Sequence, residues 1–317
     1  MLKILVTGGN GFIGSHLIDA LSTKGHYVRN FAGISEPKYN FSSNVETISG
    51  DILDLSKLER SLQGADGVIH LAAVSRIKDG RINPLNCMEV NIMGAVNVLE
   101  GIRKNNGNPW LILGGSVESQ WDQYSPDIGT FKIPTTIYGL SKFTNELSAR
   151  QYAMDYGMKI MVLRFYVTYG STRDNFDKVL PTLILKSLYN ENLDIATGKS
   201  FGFIHYKDII KGFISGIDYL SKLGPPGGYF DVFDLAPEKN TSLDELAQII
   251  IREGKSKSRV IFKKEMDIKT NPFPMNQNKA KEVLGFSAEI GLQEGIHELI
   301  EALKKLEDDK KHSLKII

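Results

Sequence analysis

The sequence predicts an α/β protein built on a doubly wound parallel sheet, with a second, smaller α/β substrate lobe. Three observations carry this. Short apolar runs alternate with amphipathic segments through the first half of the chain, the pattern of strand, crossover helix and parallel strand. The first apolar run breaks into TGGNGFIG, residues 7–14, and leads straight into an amphipathic segment, as a glycine-rich turn between strand and helix does. A later run, LILGGSVESQW (residues 111–121), climbs an apolar slope and ends in small polar residues. That suits a buried parallel strand ending at the carboxyl edge of a sheet, where open α/β folds place their ligands.

The elements follow in order. KILVTGG reads as a strand and HLIDALSTKG as its helix; HYVRNFA is the next strand, and ETISGD a strand-like stretch ending at Asp51. DGVIHLAAV and PWLILGG read as strands on either side of the helical NIMGAVNVLEGIRKN. A long helix is expected from about Ser141 to Tyr156, then a strand over residues 159–170, KIMVLRFYVTYG. From Ser171 the pattern loosens into helices such as VLPTLILKSLYN, DIIKGFISGIDYLSK, SLDELAQIIIREG and GLQEGIHELIEALKKLE. Loops rich in Gly, Pro and Asn separate them. The division expected is a dinucleotide-binding domain over residues 1–170, with 202–235 returning to it, and a substrate-binding lobe over 171–317. The closing KKLEDDKKHSLKII reads as a solvated helix end with no assigned function.

Composition narrows the function classes. The 317 residues are 42% hydrophobic, enough for a sizeable core. Lys and Arg total 38 against 37 for Asp and Glu, a formal charge of +1, which argues against nucleic acid as a partner. No apolar run approaches the roughly 20 residues needed to cross a bilayer, so no membrane partner is expected. A single cysteine, Cys87, excludes an internal disulfide, and the strand-like MLKILVTGG opening leads to the expectation of a cytoplasmic protein. No metal site is expected.

The residues at the predicted sheet edge carry the chemistry. Glycines at 8, 11 and 14, with Gly9 completing G-x-G-x-x-G, permit a tight turn in which backbone N–H groups and a helix N-terminus meet a pyrophosphate. Asp51 sits where its carboxylate could accept a hydrogen bond from an adenine amino group; taken alone, such a residue is more often a helix cap. Tyr138 and Lys142, four residues apart, project from one helix face and can share a ligand. A phenol with an ordinary pKa of about 10 is a poor base at neutral pH, and an adjacent ammonium favours its phenolate. Such a phenolate could take a proton from a substrate hydroxyl while hydride leaves the same carbon.

As a set, TGGNGFIGSHL, GDILD, HLAAV, NIMGAVNVLE, the Ser116 region, YGLSK, LRFYVTYG, FIHYKDI and KAKEVLGFSAEIGLQEGI resemble the extended short-chain dehydrogenase/reductase family, the nucleotide-sugar epimerases and dehydratases, over nearly the full chain. The resemblance implies a Rossmann domain in which Gly8, Gly11, Phe12, Ile13 and Gly14 hold the pyrophosphate of NAD or NADP. Asp51 and Ile52 would meet the adenine, while Leu71, Ala72 and Ala73 line the cofactor. Ser116, Tyr138 and Lys142 would form the catalytic set, with His70 structural and with Cys87 and Asn91 packing or hydrogen-bonding inside a helix. The activity implied is hydride transfer at C4 of a nucleotide-activated sugar by an epimerase or dehydratase. Two alternatives stand beside it, an NADPH-dependent reductase of a 4-keto sugar or smaller carbonyl compound, and a catalytically silent dinucleotide-binding regulator. Retention of Ser116, Tyr138 and Lys142 together argues against the last. A homodimer, paired through helices near residues 91–104 and 141–156, is also implied.

Some positions depart from the family pattern. Glu118 matches the acid of dehydratases, decarboxylases and some 4-keto reductases, and in elimination from a 4-keto sugar such an acid can remove the C5 proton, although Val117 replaces the Asp that precedes it in one large branch. It reads alternatively as a solvated strand-end charge. At the adenosine end Ala32, followed by Gly33, replaces the acid of NAD-using relatives, with Arg29 and Lys38 as nearby cations. At the substrate end Val167 stands where an Asn touches the diphosphate, and Phe201 where an Arg is usual. The DIKTNPFP segment offers Lys269 as its only basic residue. Lys178, Lys186, Lys199 and Lys269 are therefore the candidate cations for a diphosphate.

Overall fold

The computed structural model describes residues 1–33, 39–120, 134–224, 227–263 and 276–314, with side chains through 306. Lys38, Trp121 and Lys269 lie outside the described residues. The strands are β1 (Lys3–Thr7), β2 (Tyr27–Ala32), β3 (Val45–Ser49), β4 (Gly67–His70), β5 (Trp110–Ser116), β6 (Lys159–Phe165), β7 (Val167–Tyr169), β8 (Leu193–Ala196), β9 (Ser200–His205), β10 (Tyr229–Leu235), β11 (Asn240–Ser242) and β12 (Val260–Lys263). The helices are α1 (Phe12–Thr23), α2 (Leu55–Ser61), α3 (Ile77–Ile82), α4 (Pro84–Met88), α5 (Gly94–Arg103), α6 (Ile137–Tyr156), α7 (Val179–Leu188), α8 (Tyr206–Leu220), α9 (Leu243–Gly254), α10 (Asn278–Leu284) and α11 (Leu292–Leu314).

Two compact units result. The first comprises Met1–Phe165, Ile210–Asp234 and Glu282–Phe286. Its sheet has the order β10-β6-β5-β4-β1-β2-β3, and β1 through β6 pair in parallel. The reversal at β1, with β2–β3 on one side and β4–β6 on the other, is the doubly wound arrangement, and it puts the ends of β1, β4 and β5 side by side at one carboxyl edge. Every residue of β5 is buried, as a strand covered on both faces must be. Leu5, Val68, Leu111 and Val162 form the core with Val98 and Ile102 of α5. Their burial is the dominant stabilising term of this unit.

The second unit comprises Tyr166–Ile209, Leu235–Lys281 and Ser287–Ile317. It contains a three-stranded sheet, β11-β9-β7, and a two-stranded one, β12-β8. Leu243, Leu246, Ala247 and Ile250 of α9 are buried, the i, i+3, i+4, i+7 stripe of an amphipathic helix. Ser242 caps α9 by accepting from the Glu245 amide. The stretch expected as one strand over 159–170 is two: β6 ends at Phe165, and β7 pairs with β9 in the second unit's sheet. The chain therefore changes units at Tyr166 rather than at 170, and it returns at Ile210 rather than 202 because β9 belongs with β7. The helix expected from Asn91 is likewise interrupted, since Glu89–Met93 forms a π turn ahead of α5.

Candidate active site

The glycine loop joins β1 to α1. Gly8 has φ +74, and a Cβ there would lie 2.6 Å from the Ala72 backbone nitrogen. Only glycine fits so close to the end of β4 with that backbone. Helix α1 begins at Phe12 with Gly11, which has no side chain to cap it, as its N-cap. Phe12, Ile13 and Gly14 form the first turn at this end, where the backbone N–H groups of a helix can meet a pyrophosphate. Leu71, Ala72 and Ala73 continue from β4 beside this loop; the Ala72 amide donates to Thr7 Oγ1 at 3.3 Å. His70, buried, lies 2.7 Å from Thr7 Oγ1 through its Nδ1. Burial and the nearby Lys142 push its imidazole down to about 3, so it stays neutral and braces the β1–β4 edge.

At the adenosine end Asp51 is exposed, and its Oδ1 accepts from the Leu53 amide at 2.9 Å. Asp54, not Asp51, caps α2. Ile52 is buried in the core and its carbonyl accepts from Asn97 Nδ2. Ala32 ends β2 almost fully buried. Arg29 is held elsewhere, pairing with Glu46 at 3.1 Å and donating to the carbonyls of Ser61 and Gln63.

Ser116, Glu118, Tyr138 and Lys142 come together in the first unit. Ser116 is the last residue of β5, and its Oγ accepts from the Glu118 amide, closing a 3₁₀ turn over Val117–Ser119. Helix α6 starts four residues earlier than expected, capped by Thr136, so Tyr138 lies in its first turn. Gly139 lets that turn approach closely, because a Cβ there would sit 2.5 Å from the Glu118 carbonyl oxygen. Ser116 hydrogen-bonds Tyr138, and Lys142 Nζ donates to the Gly114 carbonyl at 3.0 Å. Tyr138, Lys142 and Ser116 are all under a tenth exposed.

The electrostatics follow from that burial. Desolvation pushes the Tyr138 phenol up to about 12, with the Ser116 hydrogen bond acting to lower it. Lys142 is brought down to about 8, again by desolvation, opposed by the Glu146 carboxylate. Burial raises the Glu118 carboxyl above the usual carboxylate range, with Arg81 acting against the rise. Asn91 sits in the π turn, donates to Ser141 Oγ at 2.8 Å and exchanges hydrogen bonds with the Val74 backbone, tying α6 to the end of β4. Cys87 is buried beside it.

The candidate substrate residues lie in the second unit. Val167 is on β7, more than a third exposed. Phe201 on β9 packs on that unit's core and against Phe203. Lys199 immediately precedes β9, its carbonyl accepting from the Leu243 amide. Lys178 is 2.6 Å from Asp174, whose side chain is 1% exposed, and Lys186 pairs with Asp194 at 3.1 Å. Two of the four lysines are thus already committed to carboxylates. Sequence reasoning overlooked Glu146 and Arg164, a buried pair in the first unit; the signal available was an acid one turn beyond Lys142 on the same helix face.

Along most of its length the chain is similar to known proteins. The chain is 28% identical over 321 residues to UDP-glucuronic acid decarboxylase 1 of Danio rerio, covering 94% of this chain and 72% of that protein. It is 25% identical over 330 residues to the UDP-N-acetyl-alpha-D-glucosaminuronate decarboxylase of Bacillus cytotoxicus, covering 97% and 99%. Its fold matches the crystal structure of UDP-glucose 4-epimerase with UDP-glucose from Thermotoga maritima at a TM-score of 0.84 and 24% identity, covering 96% and 99%. Residues 4–227 match the model of the NAD dependent epimerase/dehydratase family, and the chain belongs to that family.

Proposed function

We propose that the protein moves hydride at C4 of a nucleotide-activated sugar within an epimerase or dehydratase cycle. The observation that carries this is the burial of Ser116, Tyr138 and Lys142 together at the carboxyl end of β5, on the sheet edge that also bears the uncapped N-terminus of α1. NAD, when bound, supplies the hydride acceptor. Ser116 hydrogen-bonds the reacting C4 oxygen and Tyr138 takes its proton; Lys142, charged, favours the phenolate that does so. Glu118 supports the dehydratase branch, because a half-buried carboxyl with a raised pKa is suited to removing the C5 proton beside a 4-keto group as the C6 hydroxyl leaves. The first unit is read as the dinucleotide-binding domain and the second as the sugar-nucleotide lobe, where Val167 and Phe201 replace the usual diphosphate contacts with apolar side chains. The cytoplasm, where such cofactors and activated sugars are used, is the expected location.

The test is incubation with UDP-glucose, UDP-glucuronic acid, UDP-N-acetylglucosamine and a UDP-4-keto sugar, with NAD or NADH, followed by chromatographic separation and mass analysis of the products and absorbance of the reduced cofactor. Turnover without net NADH change supports the epimerase or dehydratase reading. Stoichiometric NADH consumption assigns a reductase, and no turnover with tight NAD binding assigns a regulator. A homodimer is supported by Leu140, Leu147 and Met154, exposed one heptad apart on α6, with Leu85 and Met93 exposed nearby in sequence to α5. Leu147→Glu should halve the mass measured by light scattering; an unchanged mass removes α6 from the interface.

A further inference from the structure

Beneath the catalytic residues lies a buried polar chain that the reaction itself does not use. Ser119, fully buried, closes the 3₁₀ turn after Ser116, and its Oγ lies 2.6 Å from the Ser116 carbonyl oxygen and 2.5 Å from Glu146 Oε1. Glu146 is on α6, one turn beyond Lys142, with its side chain 4% exposed. Arg164, near the end of β6, holds this carboxylate with two hydrogen bonds, Nε to Oε1 at 2.9 Å and Nη2 to Oε2 at 2.5 Å. Arg164 Nη1 is also 3.9 Å from Asp234 on β10, and Asp234 accepts from Gln120, the residue after the turn, at 3.1 Å. One carboxylate therefore touches three elements: the turn that aims Ser116 and Glu118, the helix that carries Tyr138 and Lys142, and the neighbouring strand.

Taking two charges out of water is costly, and a hydrophobic pair of similar volume would serve stability as well or better. Placing the pair here instead gives two effects that an apolar pair cannot. The bidentate geometry fixes the carboxylate in direction as well as position, so Ser119 and the turn behind it have one register relative to α6. The negative charge also faces Lys142 from one helical turn away. The other groups that face Lys142 are His70 from β4 and Cys87 from α4, with Tyr138 one turn back on its own helix, itself facing Ser116, Glu118 and Cys87. Burial keeps His70 and Cys87 neutral.

We propose that Glu146 is a positioning residue of the catalytic centre: clamped by Arg164, it ties the Ser116–Ser119 turn to α6 through Ser119 and keeps Lys142 in its charged form. The proposal rests on the hydride-transfer reading for its kinetic consequence, and on none for its electrostatic one. The electrostatic arm is a carbon-13 NMR titration of the lysine Cε resonances in the NAD-loaded protein, with Lys142 identified by the signal lost in Lys142→Met. Glu146→Gln, which keeps the shape and removes the charge, should titrate Lys142 about one pH unit lower, whereas Ser119→Ala should leave it in place. The kinetic arm uses UDP-glucose. Ser119→Ala should lower kcat about tenfold at a KM within roughly twofold of wild type, and Glu146→Asp should keep the Lys142 titration while losing kcat. An unmoved Lys142 in Glu146→Gln, with only a lower Tm, overturns the electrostatic role. Wild-type kcat in both Ser119→Ala and Glu146→Asp overturns the tether. If the wild type itself turns over no UDP-sugar, the functional reading fails, and the titration still decides the proposal.

Discussion

Lys142→Met tests whether the lysine makes Tyr138 a base. Methionine matches the lysine's four-atom apolar stem and keeps its contacts, so the change removes the ammonium, its charge and its hydrogen bond to the Gly114 carbonyl. Without a cofactor, burial holds the Tyr138 phenol at about 12 and Lys142 at about 8. The phenol must therefore come down by several pH units to act as phenolate near neutrality, and positive charge is the means. Side chains one helical turn apart are about 6 Å from one another; at an effective dielectric of about 20, one unit charge at that distance contributes about 3 kcal/mol. That converts to about two pH units. Since phenolate is the active form, and the cation lowers its pKa, removing the cation raises it. The acidic limb of kcat against pH should accordingly move about two units upward, making Lys142→Met about a hundredfold slower at neutral pH. Raising the pH should then recover about tenfold per unit, and the alkaline limb set by the lysine should disappear. The assay is kcat for UDP-glucose across the pH range at saturating NAD, with NAD affinity measured separately by fluorescence. An acidic limb at the wild-type position, however slow the variant, would refute the argument.

The other expectations are more direct. Tyr138→Phe removes a proton acceptor and one oxygen from a packed site, so turnover should fall by about 10³ to 10⁴ while NAD binding in a titration stays within about threefold. At the adenosine end, Ala32 with Arg29 engaged by Glu46 offers a 2′-phosphate neither a repelling acid nor an attracting arginine from that pair. NADP should bind within about a hundredfold of NAD, about 2.7 kcal/mol, and Ala32→Asp should widen the gap. A stronger native preference would show that other groups read the ribose. Lys178→Ala should strand the buried Asp174 carboxylate. The loss should appear as up to about 3 kcal/mol of stability in a denaturant titration, and an altered KM for UDP-glucose at full stability would return Lys178 to the substrate site.

How far the sequence could be read depended on the range of the interactions. The glycine loop, the Tyr138–Lys142 pair and the end of β5 are each fixed by spacings of a few residues, and periodicity exposes those directly. The break at Tyr166 was not legible, because KIMVLRFYVTYG is uniformly strand-like. Only its partners divide it, β5 for the first part and β9 for the second. The early start of α6 followed from Thr136 acting as a cap, and Thr-x-x-Gly is a weaker signal than a capping box with Glu. The Glu146–Arg164 pair joins residues eighteen apart on a helix and a strand; the spacing from Lys142 singles out Glu146, but no local pattern announces Arg164 as its partner. Of the four lysines set aside for a diphosphate, Lys178 and Lys186 are paired with carboxylates, and that was hard to read for a similar reason. Asp174 is four residues from Lys178 and Asp194 eight from Lys186, close enough to be seen, yet only burial shows that Asp174 needs its cation. A cation inferred from a missing arginine must first be free of its own neighbours. On position alone Lys199, placed just ahead of β9 and two residues before Phe201 where an arginine is usual, is the lysine to mutate first when the diphosphate contacts are sought.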